Sequence, residues 1–517
     1  MTTIGSLAPE TIIHILRTAS QLELQQNAFD NLPLTIPNCS EVSRRWRSIV
    51  SKAPTVFTNI IVPFEILRIH NYSIRSWINF WLEHSKPLPI TLLSILPRSL
   101  ECEDFEAFRQ MWCDFIIPNV SRLERYHFHL RTIRFTHQSQ YAFLRALRHV
   151  DAPILNDIHI RVGCEKDRRL YKPLYSLFRS IPNLRKVVLY GFDRLPPLTH
   201  ELRELDIYRV ELSNTSFQRL ATVCQRLEVL TLRSIWVSKG SLSDDSPTPI
   251  KMDSLRTLTL NFEDVGPFVK NANLSKHYLT HVLAPNLEYL EVSPAELSRI
   301  NLFNMLPNPS SLTSLRTLKL VGVSKTVQRQ TVSGDMDNSI WFKSLPSSNV
   351  VEEIHLSHSS GEVLGIDFPI PDSSGEPRSG DELRDMERLS DIYYIGRSQK
   401  YEPNPVVDSM RPSSSTASLT NLKSLTVETL VAEDMVWMCR LITVRPTIRM
   451  VWLSESALLT LRTSLILWED RDSGRSFIKI QKPGYMGCEF KEHVEEKGVD
   501  VERWVKERVE LRILGSS

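Results

Sequence analysis

The chain has 517 residues, with 62 basic and 60 acidic side chains. The resulting net charge of +2 excludes a global field that would draw the protein onto nucleic acid or an anionic membrane. Hydrophobic residues at 42% and charged residues at 24% exclude a disordered or fibrous chain, and this length predicts roughly two to three domains or one long repetitive domain.

The sequence shows neither a targeting signal nor a paired-cysteine motif. The N-terminal segment MTTIGSLAPE has no basic region followed by an apolar one, and no uncharged apolar run of about 18 residues occurs later. We therefore expect a protein that is cytoplasmic and/or nuclear and does not enter a membrane. The seven cysteines are widely spread without a CxxC pair, which predicts reduced and mostly buried thiols.

Two amphipathic helices are predicted near the N-terminus. Residues 6–24 place Ser6 as a cap and Pro9 in the first turn, and apolar side chains then follow on one face. After a polar loop, a single apolar stripe predicts a second helix and consists of Cys39, Val42, Trp46, Ile49 and Val50. The arginines at 44, 45 and 47 project mostly away from that stripe.

Helix and strand begin to alternate after this segment. Apolar residues recur at helical spacing from Ile74 to Leu82 and again from Phe105 to Phe115. The stretch PLPITLLSI between them predicts a strand.

A self-similar motif, L-x-x-L-x-L, recurs through the rest of the chain. Its eleven copies begin at residues 123, 155, 184, 202, 227, 255, 287, 315, 351, 422 and 448. Most spacings between the first residues of successive copies fit the length of one strand plus a returning helix or loop. This period is what a leucine-rich-repeat solenoid requires, because one unit cannot bury its apolar strand face without stacked neighbours. The copies often follow a similar entry turn (IPNL, APIL, APNL or LTSL), but the usual asparagine or cysteine is mostly missing, so we expect an irregular solenoid.

Two further segments differ from the repeats. Residues 371–418 are rich in Ser, Pro, Gly and charge, which predicts a disordered insertion; a loop that orders on a partner through Ile392 to Tyr394 is the alternative. Residues 461–517 predict a hairpin in LRTSLILWEDRDSGRSFIKIQ and a final amphipathic helix around Trp504. Both would cap the end of a solenoid.

Strand alternation predicts which side chains face outward. The leucine-type positions point into the core, and the residues that flank the last of them point to the opposite, concave face. Aromatic and charged or polar side chains there are candidates for binding a target protein. These candidates are Arg161, Tyr190, Tyr208, Arg233, Asn261, Glu291 and Lys319.

No catalytic or metal-binding site is predicted. His127 and His129 share a strand face, but the sequence identifies no third ligand, which favours ordinary strand histidines over a metal site. No P-loop, Rossmann fingerprint, G-x-S-x-G elbow or HExxH helix occurs in the chain. We therefore expect no catalytic residue, no cofactor and no metal.

The N-terminal segment resembles an F-box, the helical module that docks its protein on the Skp adaptor of a cullin-RING ubiquitin ligase. LAPETIIHIL, from Leu7 to Leu16, resembles the opening of that module, and VSRRWRSIVSKAPTVFTNIIV, from Val42 to Val62, resembles its close. SWINFWLEHSKPLPITLLSI, from Ser76 to Ile95, is similar to the segment that follows the F-box in fungal-type receptors with degenerate repeats. The resemblance implies adaptor-binding roles for Leu7, Pro9, Glu10, Ile12, Ile15, Leu16, Val42, Trp46, Ile49 and Val50.

Together these predictions describe an α/β protein with a three-helix F-box followed by an irregular leucine-rich-repeat solenoid. The expected domains are an F-box at 5–63, a helical linker with the first solenoid unit at 64–118, the solenoid at 119–460 and a terminal hairpin and capping helix at 461–517. We expect a non-catalytic substrate receptor that binds the Skp-type adaptor, through it a cullin, and an unknown protein substrate.

Three alternatives to this function stay open. The N-terminal helices could be an ordinary pair packed on the first repeat, and the whole chain could be a scaffold that acts without a ligase. A nucleic-acid binder would use Arg44, Arg45, Arg47 and Lys52, but residues 1–63 carry five basic and four acidic side chains, a poor nucleic-acid footprint.

Overall fold

The computed structural model describes most of the residues on which these predictions rest. The described residues are 7–26, 35–63, 73–96, 112–130, 150–162, 180–190, 198–208, 214–233, 249–262, 278–293, 306–323, 351–359, 392–395, 419, 421–428, 432–469, 476–480 and 501–514. The chain divides into two units, Met1–Ser241 and Leu242–Ser517.

The first unit begins with three helices, which correct the prediction of one long second helix. Helix α1 spans Pro9–Gln26, α2 spans Thr35–Val42 and α3 spans Arg44–Ser51. The break lies at Ser43, whose backbone is extended and whose Oγ accepts a hydrogen bond from the Trp46 N–H at 3.2 Å. This N-cap starts a new helix and leaves Val42 at the end of α2, so Val42 does not share the predicted stripe with Trp46.

The remainder of the first unit is a run of parallel strands with helical connections. Its strands are β1 Asn59–Pro63, β2 Ile90–Leu96, β3 Leu123–Leu130, β4 Asp157–Val162, β5 Lys186–Tyr190, β6 Glu204–Tyr208 and β7 Val229–Arg233. Its connections include a 3₁₀ turn at Pro54–Phe57, α4 at Ile74–His84, a π turn at Trp112–Ile116, a 3₁₀ turn at Ile117–Arg122 and α5 at Asn214–Val223. Each strand pairs in parallel with the next one along the chain.

The second unit contains strands of three sheets. The strands are β8 Ile250–Lys251, β9 Thr257–Asn261, β10 Val282–Leu283, β11 Tyr289–Ser293, β12 Thr317–Val321, β13 Glu353–Ser357, β14 Ile392–Ile395, β15 Ser424–Glu428, β16 Met450–Leu453, β17 Leu465–Glu469, β18 Ser476–Ile480 and β19 Glu510–Ile513. Its helices are α6 Ala432–Val444, α7 Glu455–Ser464 and the helix at residues 501–506, with 3₁₀ turns at Tyr278–His281 and Pro309–Ser311. Strands β8 and β10 form a small parallel pair, and β14, β18 and β17 form an antiparallel sheet.

Each unit contains seven parallel strands stacked in chain order, β1 to β7 in the first unit and β9, β11, β12, β13, β15, β16 and β19 in the second. All eleven motif copies lie on these strands, and the three hydrophobic residues of each copy are buried. Alternation sends the last two of them to the same face of the strand, and the first is buried in the turn that enters the strand or at its first residue. Strands β1, β2 and β19 also belong to these parallel strands, although none of the three carries the motif.

Side chains of the entry turns tie consecutive repeats together. The Asn183 side chain donates to the Pro153 carbonyl at 2.6 Å, and Asn286 donates to the Asp253 carbonyl at 2.7 Å. The hydroxyl of Thr313 makes the corresponding bond to the Pro285 carbonyl at 3.0 Å. These bonds explain why a polar residue recurs in the entry turn.

Residues 392–395 correct the prediction of disorder for part of the 371–418 insertion. They form β14, which pairs antiparallel with β18, and α6 packs against both strands. The rest of the insertion lies outside the described residues. The predicted hairpin is present as β17 and β18.

The C-terminal segment forms the predicted helix and then an additional strand. Val501, Trp504 and Val505 are buried on the helix at residues 501–506. The chain then continues into β19, which pairs with β16. No helix within the described ranges has the length and apolar character needed to cross a bilayer.

Glu502 links this C-terminal helix to α7 through a buried carboxylate. Its Oε1 accepts from Arg462 at 3.1 Å and pairs with Lys506 at 2.7 Å, and these cations lower the pKa of Glu502 from 4.5 to about 2. We expect Glu502→Gln to reduce the free energy of unfolding by about 1–3 kcal/mol at pH 7. Urea denaturation should show the difference above pH 4.5 and its loss as pH falls toward about 2, because the lowered pKa stabilises the fold only while the carboxylate is ionised. The exposed Glu507→Gln is the control and should change little.

Two buried thiols are expected to be unreactive in the folded protein. Burial raises the pKa of Cys224 and of Cys439 to about 12 each, so both remain protonated at neutral pH. Iodoacetamide labelling read by peptide mass spectrometry should modify them only after unfolding, and more slowly than the partly exposed Cys113 in the native protein. Rapid native labelling of Cys439 would contradict its burial in α6.

Candidate functional site

The ten residues implied to bind the adaptor fall into a core set and a surface set. Ile12, Leu16, Trp46 and Val50 are buried between the three helices. Leu7 and Ile49 are half-buried, and Pro9, Glu10, Ile15 and Val42 are exposed. The core set therefore holds the helices together, and only the others are accessible to a partner.

The exposed apolar side chains of the three helices are the first candidate surface. Ile15 is 43% exposed and Val42 is 63% exposed. Leu22, which sequence reasoning missed, is also 43% exposed and lies two turns after Ile15 on the same face of α1. We call Ile15, Leu22 and Val42 the apolar helix surface. Several large exposed apolar side chains on so small a helical unit are typical of a docking surface.

Polar contacts fix the arrangement of these helices. The Glu23 carboxylate of α1 accepts hydrogen bonds from the backbone N–H and the hydroxyl of Thr35, the first residue of α2. Arg45 donates to the Leu7 carbonyl at 2.5 Å, and Arg47 donates to the Ser40 carbonyl at 3.2 Å. Two of the arginines considered for nucleic-acid binding thus hold the helices in place.

The partly exposed face of the first unit's sheet is the second candidate surface. Register places Arg161, Tyr190, Tyr208 and Arg233 next to one another at the carboxyl ends of β4 to β7. The Arg161 guanidinium lies 5.6 Å from the centre of the Tyr190 ring, and the two tyrosine rings are 5.2 Å apart. The sequence prediction that these four side chains share a face is confirmed.

Three histidines lie beside this line of residues, on β3 and β4. The ring of His159 is 4.9 Å from that of His129 and 5.4 Å from that of His127. Burial, followed by repulsion from His127, lowers the pKa of His159 to about 4, so this imidazole is neutral at pH 7. His127 pairs with Asp157 at 3.7 Å.

Charged pairs that sequence reasoning missed occupy the same face. Lys186 on β5 pairs with Glu204 on β6 at 2.7 Å, and Asp206 on β6 pairs with Arg233 on β7 at 3.0 Å. For Lys186 and Glu204 the signal available in the sequence was the opposite charge at equivalent motif positions of successive copies, whereas Asp206 and Arg233 stand two motif positions apart. Such exposed pairs are worth about 0–1 kcal/mol each, so their main consequence is to neutralise this part of the face.

The remaining candidates lie on the corresponding face of the second unit. Glu291 and Lys319 are register neighbours on β11 and β12, 3.5 Å apart, and the Tyr289 hydroxyl donates to Glu291 at 2.6 Å. Burial, followed by this hydrogen bond, raises the pKa of Tyr289. Asn261 aligns with Ser293 rather than with Glu291. Glu291 and Lys319 are therefore brought together, whereas Asn261 lies at a neighbouring level of the sheet.

The search for metal ligands and the comparisons with known proteins add no further site. No three His, Cys, Asp or Glu side chains within the described part of the chain are arranged to hold a metal ion. A scan against protein-family models finds no match, and a search of curated proteins finds none either.

Proposed function

We propose that this protein is a substrate-recruiting subunit of an SCF-type cullin-RING ubiquitin ligase. In this proposal the helices α1 to α3 are an F-box that binds the Skp-type adaptor, and the parallel strands form a leucine-rich-repeat solenoid that binds a target protein. The observation that carries the proposal is the apolar helix surface, Ile15, Leu22 and Val42, within a segment whose sequence resembles an F-box.

Burial at the N-terminal helices favours docking over a purely structural role. An ordinary helical pair packed on the first repeat would bury its large apolar side chains there, but Ile15, Leu22 and Val42 face away from the core. A helical unit this small does not bury all its apolar surface alone, so a partner that covers these side chains gains hydrophobic burial.

The sheet supports the second half of the proposal. The eleven copies of L-x-x-L-x-L bury their leucine-type positions on one face, which leaves aromatic and charged side chains on the other. Tyrosine and arginine are the side chains most enriched at the energetic centres of protein interfaces, and the first unit presents Tyr190, Tyr208, Arg161 and Arg233 in a line.

The proposed mechanism is proximity. The chain would hold the target near the ubiquitin carrier delivered by the cullin, so that a bimolecular encounter becomes a local one with a high effective concentration. No bond is made or broken by this chain in that scheme.

The test is size-exclusion chromatography of the full chain with a purified Skp-type adaptor and a cullin. A receptor is expected to co-elute with the adaptor and, only in its presence, with the cullin. Co-elution with the adaptor but never with the cullin would instead establish a scaffold without a ligase. A folded chain that binds neither protein would refute both.

A further inference from the structure

We propose that the β3–β4 end of the first unit's sheet face binds the carboxylates of an acidic peptide segment in the target protein. We call this area, made of Arg125, His127, His129, His159 and Arg161, the cationic end of the face. This inference rests on the proposed function, because that proposal is what identifies the peptide as part of a target protein. The inference adds the chemistry of the bound segment.

Charge distinguishes the cationic end from the rest of the same face. Its two strands present two exposed arginines, Arg125 and Arg161, against one carboxylate, that of Asp157, and carry three histidines beside them, of which His159 is neutral at pH 7. Within the described residues neither Arg125 nor Arg161 forms an ion pair. At the β5–β7 end, by contrast, Lys186 is paired with Glu204 and Arg233 with Asp206. Among the described residues of this face, the arginines without an ion pair are therefore those on β3 and β4, where an anionic partner finds positive charge.

Geometry brings these groups within reach of one ligand. His129 and Arg161 are direct register neighbours, and so are His127 and His159. The Nε2 atom of His159 is shielded from water and has no hydrogen-bond partner within the described residues. A carboxylate above β4 would accept hydrogen bonds from the exposed Arg161 guanidinium, which lies over the Tyr190 ring, and its charge would act on the adjacent His159 imidazole without contact with the shielded nitrogen.

The adjoining tyrosines give the peptide a second anchor. Tyr190 and Tyr208 continue the line from Arg161 with their rings in contact. An apolar side chain next to the acidic residue would pack on these rings, as at the aromatic centres of other interfaces. The expected segment is therefore acidic, with an apolar residue beside the carboxylate.

Binding is expected to take up a proton. His159 faces Arg125, His127 and His129 from β3, Lys186 and Tyr190 from β5, and Asp157 and Arg161 on its own strand. In the unbound protein burial and His127 keep its pKa near 4. A bound carboxylate raises that pKa, so lowering the pH from 7.5 to 5.5 strengthens binding while glutamate, with a pKa of about 4.3, stays ionised.

The experiment is fluorescence anisotropy of the full chain with fluorescein-labelled hexaglutamate at fixed ionic strength. We expect binding to be about threefold or more tighter at pH 5.5 than at pH 7.5. Arg161→Gln should weaken it about tenfold, and His159→Gln should reduce the pH dependence. Arg203→Gln is the matched control, because Arg203 lies in the same unit at a strand entry and pairs with Glu228.

The outcomes separate this inference from the proposed function. Equal affinity of wild type, Arg161→Gln and Arg203→Gln, or no binding of hexaglutamate at either pH, would overturn the inference. Adaptor binding measured on the same preparation reports on the F-box alone. A chain that binds the adaptor but not hexaglutamate therefore contradicts this inference alone. A chain that binds hexaglutamate but not the adaptor contradicts the proposed function.

Discussion

The double variant Ile15→Glu, Val42→Glu is expected to bind the Skp-type adaptor at least about a hundredfold more weakly than wild type. Both side chains are exposed, at 43% and 63%, so the charges add no strain to the core of the free protein. In the complex each carboxylate would lose its water against apolar surface without a partner. Isothermal titration calorimetry should show the loss, and the melting temperature should stay close to that of wild type.

The matched control for this variant is Leu459→Glu. Leu459 is 60% exposed on α7, so this variant makes the same kind of substitution once, at an exposed apolar residue of the other unit. It should leave adaptor affinity unchanged. Equal affinity of the double variant and the control would show that the apolar helix surface does not dock the adaptor.

Trp81→Ala is expected to lower the free energy of unfolding by about 3–5 kcal/mol. Trp81 on α4 is buried and lies 5.7 Å from the ring of Phe57 and 5.9 Å from that of Trp77, whose Nε1 donates to the Ile61 carbonyl at 2.9 Å. Removing the indole leaves a cavity between α4 and the turn that follows the three helices. Urea denaturation followed by circular dichroism measures the change.

Phe80→Ala is the control in the same aromatic cluster. Its ring also contacts Phe57, at 5.7 Å, but it is partly exposed, so truncation leaves less of a cavity. We expect a loss of about 1 kcal/mol, well below that of Trp81→Ala. Similar losses for the two variants would contradict the assignment of Trp81 to the core.

The parallel strands could be predicted from the sequence because the hydrophobic positions of the repeat motif are the positions that the strands bury. Each copy places its apolar residues at strand positions that share one face, and the recurrence of the motif required those faces to stack. Strands β1, β2 and β19 lack the motif. NIIVP and ELRI are the first and the last of the parallel strands, where stacking on one side only relaxes the pattern.

The helix boundary at Ser43 could not be predicted from hydrophobic periodicity. A stripe from Cys39 to Val50 fits one helix, and the break depends on a single side-chain cap that stabilises a different backbone direction. For the same reason hydrophobic periodicity predicted that Val42 and Trp46 share one helix face, although Val42 is exposed and Trp46 is buried.

The candidate sheet face was predicted in composition but not in its contacts. Alternation alone placed Arg161, Tyr190, Tyr208 and Arg233 on one side. Their pairing with one another, and that of Lys186 with Glu204, depends on the exact register of strands joined by connections of unequal length. The pairing of β14 with β18 could not be predicted either, because it joins segments more than eighty residues apart in the sequence.

The affinity of the wild-type full chain for a purified Skp-type adaptor tests the proposed function most directly. Isothermal titration calorimetry is expected to give one adaptor per chain and a Kd of about 1 µM or below, with apolar burial visible as a negative heat-capacity change. A chain that unfolds cooperatively on heating but shows no binding heat, with a Kd above about 100 µM, would contradict the assignment of α1 to α3 as an adaptor-docking module.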